Sequence, residues 1–279
     1  MKRIDVHLHI PADNTLGENF SPVADMLPHL DELGIDYGIL LSISTQWNQQ
    51  SMQNVAQYPD RFSWMCHVEP GLGNVEEQLK KAKEQGAVGI GEATYNKWIE
   101  DDFIQRTFRA AEKLNMPILF HMSPEEGYSY GICDKPGLPM LEDSLKKYPD
   151  LKFIGHSQTF WIEMSGDAPA DKESRNQWGS GPVTPGGRIP YLFENYPNLY
   201  GDLSANSGGQ AIMRDEENGL AFLTKYADRL FFGTDMFNAD MTFPLAKWLD
   251  DMHEKGRLST DTYEKICWKN AEKLIKGQL

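Results

Sequence analysis

The chain has 279 residues, enough for one α/β barrel or for two smaller domains. Hydrophobic residues make up 40% and charged residues 24%, the balance of a globular core inside a solvated surface. A net charge of −14 repels phosphate backbones and anionic lipid, which excludes nucleic acid and a membrane surface as expected partners and leaves small molecules.

Read in order, the chain alternates short apolar, β-rich runs with longer amphipathic stretches, the pattern of repeated βα units on a parallel sheet. Strands are expected at Arg3–His9, Tyr37–Ile43, Phe62–Val68, Val88–Ala93, Pro117–His121, Lys152–His156, Leu199–Leu203 and Leu230–Thr234. Helices are expected near Pro22–Leu33, Gln49–Gln57, Val75–Glu84, Asp102–Leu114, Met140–Lys147, Arg188–Asn195, Ala211–Tyr226 and Phe243–Lys255, with a further carboxy-terminal helix from Thr260 to Ile275. Eight strands, each followed by a helix, at this length fit a closed (β/α)₈ TIM barrel, read as a single domain over residues 1–279. An open doubly wound sheet would need a phosphate-type glycine loop after the first strand. Ile10-Pro11-Ala12-Asp13-Asn14 does not supply one.

Three cysteines, Cys66, Cys133 and Cys267, are too few and too scattered for a disulfide framework or a thiolate metal site. No apolar run long enough for a signal peptide or a membrane span precedes the first strand, so a cytoplasmic location is expected. Trp268 on the last helix has two uses open to it, covering the barrel or contacting a second copy of the chain in a homo-oligomer.

In a barrel, functional groups gather at the carboxyl ends of the strands. Ile4-Asp5-Val6-His7-Leu8-His9-Ile10 alternates apolar and polar side chains, so Asp5, His7 and His9 are expected on one face. The fourth strand ends in Glu92, with Gly89 and Gly91 leaving little side chain opposite it. The fifth ends in His121, the sixth in His156, and the eighth in Asp235. One such residue at a strand end needs no explanation. Five strand ends carrying imidazole or carboxylate at one rim make a candidate metal site. Neutral imidazoles and carboxylates suit zinc first, with manganese or iron(II) as alternatives.

These residues resemble the amidohydrolase superfamily, and most closely its amidohydrolase-related branch (family 2), which includes small lactonases and non-oxidative decarboxylases. The matching pieces are Asp5-Val6-His7-Leu8-His9, Gly89-Ile90-Gly91-Glu92, Pro117-Ile118-Leu119-Phe120-His121, Phe153-Ile154-Gly155-His156, Phe232-Gly233-Thr234-Asp235 and Asn270-Ala271-Glu272-Lys273-Leu274. The resemblance implies that His7, His9, His121 and Asp235 ligate one divalent ion and that Asp235 also takes a proton from water. It implies that His156 is either a ligand to a second ion or a group that polarises the substrate. Glu92 then bridges two ions or does other work.

Substrate contacts are expected from the loops after the strands. The longest irregular segment, Ser157 to Gly187, reads as a lid carrying Trp161 as an aromatic wall, with Arg175 or Arg188 for a substrate carboxylate. Tyr95, Tyr128, Tyr130, Ser204 and Asn206 are further rim candidates. The leading expectation is a metal-dependent hydrolase of a small lactone, amide or ester. The alternatives are a non-oxidative decarboxylase of a small aromatic or unsaturated acid and a catalytically silent ligand-binding barrel.

Overall fold

The computed structural model describes residues 2–279. All eight expected strands form, as β1 (Ile4–Leu8), β2 (Tyr37–Leu41), β3 (Phe62–Met65), β4 (Ile90–Ala93), β5 (Ile118–Ser123), β7 (Phe153–His156), β8 (Leu199–Asp202) and β9 (Leu230–Phe231). An unexpected short strand, β6 (Ile132–Cys133), pairs with the end of β5, which runs past His121 to Ser123. Every pairing is parallel, in the order β1-β2-β3 and β4-β5-β7-β8-β9.

Backbone hydrogen bonds join the two arcs into a ring. At one seam Val88 N–H donates to Trp64 O, Cys66 N–H to Gly89 O and Gly91 N–H to Cys66 O. At the other, Val6 N–H donates to Phe232 O, Asp235 N–H to His7 O and His9 N–H to Met236 O. Closure leaves the barrel no free edge and sets β1 directly beside the end of β9, so His7 and Asp235 become neighbours.

One apolar cluster draws Ile4, Val6, Ile39, Leu41, Met65, Leu119, Ile154, Tyr200 and Phe231 from seven strands, together with Ala271 and Leu274 from the last helix. Side chains from so many strands meet only in the barrel's lumen, so this is the inner core. The last helix therefore caps the base. β4 contributes a glycine there. A Cβ on Gly91 would stand 3.2 Å from Leu119 Cβ and 3.3 Å from Met65 Sδ, so the glycine makes room for both. A larger cluster, with Leu8, Leu40, Trp64, Ile90, Phe120 and Phe153, fills the layer between strands and helices. Each fully buried large apolar side chain contributes roughly 1.5–3 kcal/mol to folding.

The strand β1 departs from simple alternation. Its register with β2 shifts between Asp5 and Leu8. Ile4 and Val6 consequently pack in the lumen while Leu8 and Ile10 join the outer layer. The apolar face expected from period-two patterning is thus split at the two histidines.

Three helical expectations are corrected. The stretch expected as one helix from Ala211 to Tyr226 is two, Ala205–Met213 and Glu216–Lys225. The Asp215 carboxylate accepts from Asn218 N–H at 3.2 Å and so starts the second, while the poor helix formers Gly208 and Gly209 concealed the first. The carboxy-terminal helix is interrupted by a π-helical turn at Lys265–Lys269, where Ile266 O accepts from Phe232 N–H at 2.9 Å. The Ser157–Gly187 excursion has structure of its own, with helical turns at Gln158–Trp161, Ile162–Met164 and Lys172–Arg175. No helix among the described residues is long and apolar enough to cross a membrane.

Candidate metal centre

The ends of β1, β4, β5, β7 and β9 bring His7, His9, Glu92, His121, His156 and Asp235 together at one mouth of the ring. Three overlapping sets, His7–His9–Glu92, His7–His156–Asp235 and Glu92–His121–His156, have donor atoms close enough for one cation each.

Second contacts settle how the histidines face. His9 Nδ1 donates to the Leu41 carbonyl at 3.1 Å, and a carbonyl can only accept, so the lone pair of a neutral His9 sits on Nε2. His7 Nδ1 donates to Asp202 Oδ2 at 2.6 Å, with the same consequence. The two Nε2 atoms stand 3.1 Å apart, so with both rings neutral two lone pairs face each other across a gap that a bound cation, or a proton on His9, satisfies. Asp235 Oδ1 lies 3.2 Å from His7 Nε2 and 3.4 Å from His9 Nε2, and Glu92 Oε2 lies 3.9 and 3.5 Å from them. Donors around a tetrahedral ion with bonds of about 2.0–2.2 Å are roughly 3.3–3.6 Å apart. The residues therefore fit a divalent ion.

Glu92 faces two ways. Its Oε1 is 2.8 Å from His121 Nδ1 and 3.7 Å from His156 Nε2, on the side away from His7 and His9. Asp235 repeats this arrangement, with Oδ2 3.7 Å from His156 Nε2. Asp235 also holds a left-handed backbone, φ 60°, a conformation that aspartate tolerates better than most residues. Its side chain is 26% exposed, whereas those of His7, His9, Glu92, His121 and His156 are 8% or less.

Electrostatics follow the carboxylates. Burial pulls the His9 imidazolium down, but hydrogen bonds to Asp235 and Glu92 outweigh it and push the group up to about 10. His156 is likewise opposed by burial and is raised to about 9 by Asp202, Asp235 and Glu92. His121, with Glu92 as its one close carboxylate, is instead lowered, because burial dominates. Burial works against ionisation of Glu92 and Asp235, yet the surrounding histidines hold both below the usual carboxylate range. The pocket is built for positive charge.

Of the expected substrate contacts, Tyr95 lies at the rim. It is buried, accepts from Val68 N–H at 3.2 Å, and lines a cavity of about 320 Å³ with Ser44, His67, Glu69 and Lys97 at the ends of β2, β3 and β4. Asn206 stands half-buried in the first turn of the helix after β8. Three others are corrected. Trp161 is buried, and its indole donates to the Asp202 carbonyl at 2.9 Å, so it packs behind the site instead of walling it. Arg175 is buried and donates to Asp134 O at 2.9 Å, which ties the 157–187 segment to β6. Arg188 donates to Gly137 O and pairs with Glu142, away from the mouth. An aromatic that does reach the site is Tyr130, whose ring lies 4.2 Å from that of His121 while 60% exposed. Asn96 holds its loop by accepting from Gly127 N–H and donating to Ser129 O.

A closed α/β barrel with histidines and carboxylates converging on one cation-binding mouth defines a metal-dependent enzyme of the amidohydrolase type. The family model described as Amidohydrolase matches residues 4–276, and the chain belongs to that family. Comparison with curated proteins returns no match. Among solved structures, a probable 2-pyrone-4,6-dicarboxylic acid hydrolase from Acinetobacter baumannii, with citric acid bound, is similar at TM-score 0.64 and 16% identity, covering 99% of this chain and 100% of that one. The 5-carboxyvanillate decarboxylase of Novosphingobium aromaticivorans, complexed with manganese and 4-hydroxy-3-methoxy-5-nitrobenzoic acid, gives TM-score 0.58 and 17% identity over 98% and 96% of the two chains. A 2,6-dihydroxybenzoate decarboxylase complexed with 2,6-dihydroxybenzoate gives 0.60 and 18% over 99% and 98%. At such identities these likenesses speak for the fold.

Proposed function

We propose that the chain is a metal-dependent hydrolase of a small lactone, amide or ester. The observation that carries this reading is the position of Asp235, the one open carboxylate of the cluster, with Oδ1 toward His7 and His9 and Oδ2 toward His156. In this reading His7, His9 and Asp235 would hold one divalent ion with Glu92 beside them, while His121, expected in the same set, stands with His156 on the other side of Glu92. Glu92, His121 and His156 would make a place for a second. Zinc suits the nitrogen and carboxylate donors, with manganese or iron(II) as alternatives.

An ion bound there supplies Lewis acidity, polarising a carbonyl and lowering the pKa of water. Asp235 accepts the proton of the attacking water and returns it to the leaving oxygen or nitrogen. With a single ion present, the protonated His156 donates Nε2–H to the oxygen that gains charge. Tyr95, Asn206 and Tyr130 orient the substrate from the rim.

Tyr130 favours a second reading. A half-open aromatic ring beside His121 suits a flat, ring-shaped acid, as in the decarboxylases of similar fold. A non-oxidative decarboxylase would use the same donors to orient a carboxylate, with Asp235 delivering the proton to carbon. The test is ion content per chain followed by assay against panels of lactones, amides, esters and hydroxybenzoate-like acids. Hydrolysis supports the first reading and release of carbon dioxide the second. Full ion content with neither activity would leave a silent binding barrel.

A further inference from the structure

Asp202, at the end of β8, is fully buried and lies behind two of the site histidines at once. Its Oδ2 is 2.6 Å from His7 Nδ1, 3.1 Å from His156 Nδ1 and 2.7 Å from the Ser204 hydroxyl. The hydroxyl in turn lies 3.0 Å from His156 Nδ1 and 3.2 Å from His7 Nδ1. Asp202 Oδ1 is occupied by Ser204 N–H at 2.9 Å.

One assignment satisfies every donor. His7 Nδ1–H donates to Asp202 Oδ2, Ser204 O–H donates to the same oxygen, and His156 Nδ1–H donates to the Ser204 oxygen. Both imidazoles then present Nε2 to the mouth. His7 belongs to β1 and His156 to β7, so a single carboxylate on β8 sets the facing of ligand candidates on two sides of the centre. The packing leaves no slack. A Cβ on Gly233 would stand 2.8 Å from Asp202 Oδ1, 3.0 Å from Ser204 Cβ and 3.2 Å from His7 Cβ, so the residue two before Asp235 must be glycine.

We propose that Asp202 and Ser204 are the positioning residues of the centre. Asp202 fixes His7 directly, and it fixes His156 through the Ser204 hydroxyl, holding both rings with Nδ1 protonated and Nε2 facing inward. The proposal rests on the reading that the mouth holds a divalent ion. It assigns the two histidines different supports, a charged one for His7 and a rotatable neutral one for His156. Asp202→Leu keeps much of the volume and removes both acceptor oxygens, so His7 Nδ1–H loses its carboxylate partner whichever way the side chain turns.

The test uses the full chain labelled with ¹⁵N-histidine, with zinc as the probe ion. In the native chain, His7 and His156 should each show an exchange-protected Nδ1 proton, that of His7 shifted further downfield by its carboxylate partner. In Asp202→Leu the His7 signal should disappear and zinc affinity fall about 10- to 100-fold, the usual effect of removing such a partner. Retention of both the signal and the affinity would overturn the proposal. If that variant does not fold, Ser204→Ala decides. It should alter the His156 proton alone, with Ser204→Thr restoring it, and an unchanged His156 signal would overturn the relay. A native chain that binds no zinc would sink the proposed function, while the Nδ1 protons of the zinc-free chain still decide the role of Asp202.

Discussion

The Asp5 carboxylate grips Thr234 across the seam where the barrel closes. Its Oδ1 accepts Thr234 N–H at 3.1 Å and its Oδ2 accepts the Thr234 hydroxyl at 2.6 Å, while Oδ1 also accepts His7 N–H at 2.9 Å. All of these groups are buried, and Asp235 follows Thr234 directly. The grip therefore sets the spacing between β1's histidines and the carboxylate that faces them. Thr234→Val keeps the shape and removes the hydroxyl's hydrogen bond to the buried Asp5 carboxylate together with the one it accepts from Met236 N–H at 3.3 Å, which should cost about 1–3 kcal/mol. The expected result is a lower denaturation midpoint in urea together with weaker ion binding. Unchanged ion affinity would reduce the grip to a structural fastening.

Glu92 is the residue on which the ion count turns. Glu92→Ala removes the carboxylate shared by His9 and His121. If two ions bind the native chain, the variant should retain about one per chain by elemental analysis and lose turnover at least tenfold. A native chain that binds one ion, and a variant that still binds it, would return Glu92 to a supporting role.

Ion loading should release protons. His9 and His156 sit at about 10 and 9, above neutrality, so both carry protons at pH 7 when no cation is present. An ion held by His9 must displace that proton, and a second ion held by His156 would displace the other. Apparent affinity should consequently fall as pH drops, and calorimetry in buffers of different ionisation enthalpy should detect net proton release per ion. Affinity independent of pH between 6 and 8 would contradict the carboxylate control of these rings.

His67 offers a separate pH signature. It is buried, its Nδ1 has no partner, and burial pulls it down to about 4. Glu69 reaches Nε2 at 3.3 Å from a partly exposed position and does not offset that burial. Above pH 6.5 the folded and unfolded chains are both neutral here, so the residue has no effect. Between about 6.5 and 4 the unfolded chain takes up the proton first, and stability falls by about 3 kcal/mol over that window. Denaturant unfolding of His67→Gln should show a shallower loss of stability on acidification than the native chain.

The sequence by itself determined the repeating βα order, the eight barrel strands and the six polar residues at their ends. Each is a local signal: an apolar run of strand length closing on an imidazole or carboxylate. It reached as far as Ser204, a polar residue just past a strand end, but not to what that residue and its neighbour Asp202 hold. Tertiary structure alone decided the rest, because closing the ring puts β1 beside β9. That closure makes His7 a neighbour of Asp235, divides Glu92 between two groups of histidines, and sets Asp202 behind both His7 and His156. The same long-range packing took Trp161 and Arg175 out of reach of a substrate. An aromatic or an arginine in a loop looks alike in sequence whether it faces the mouth or buries itself against a carbonyl. Which it does depends on the partners the fold delivers.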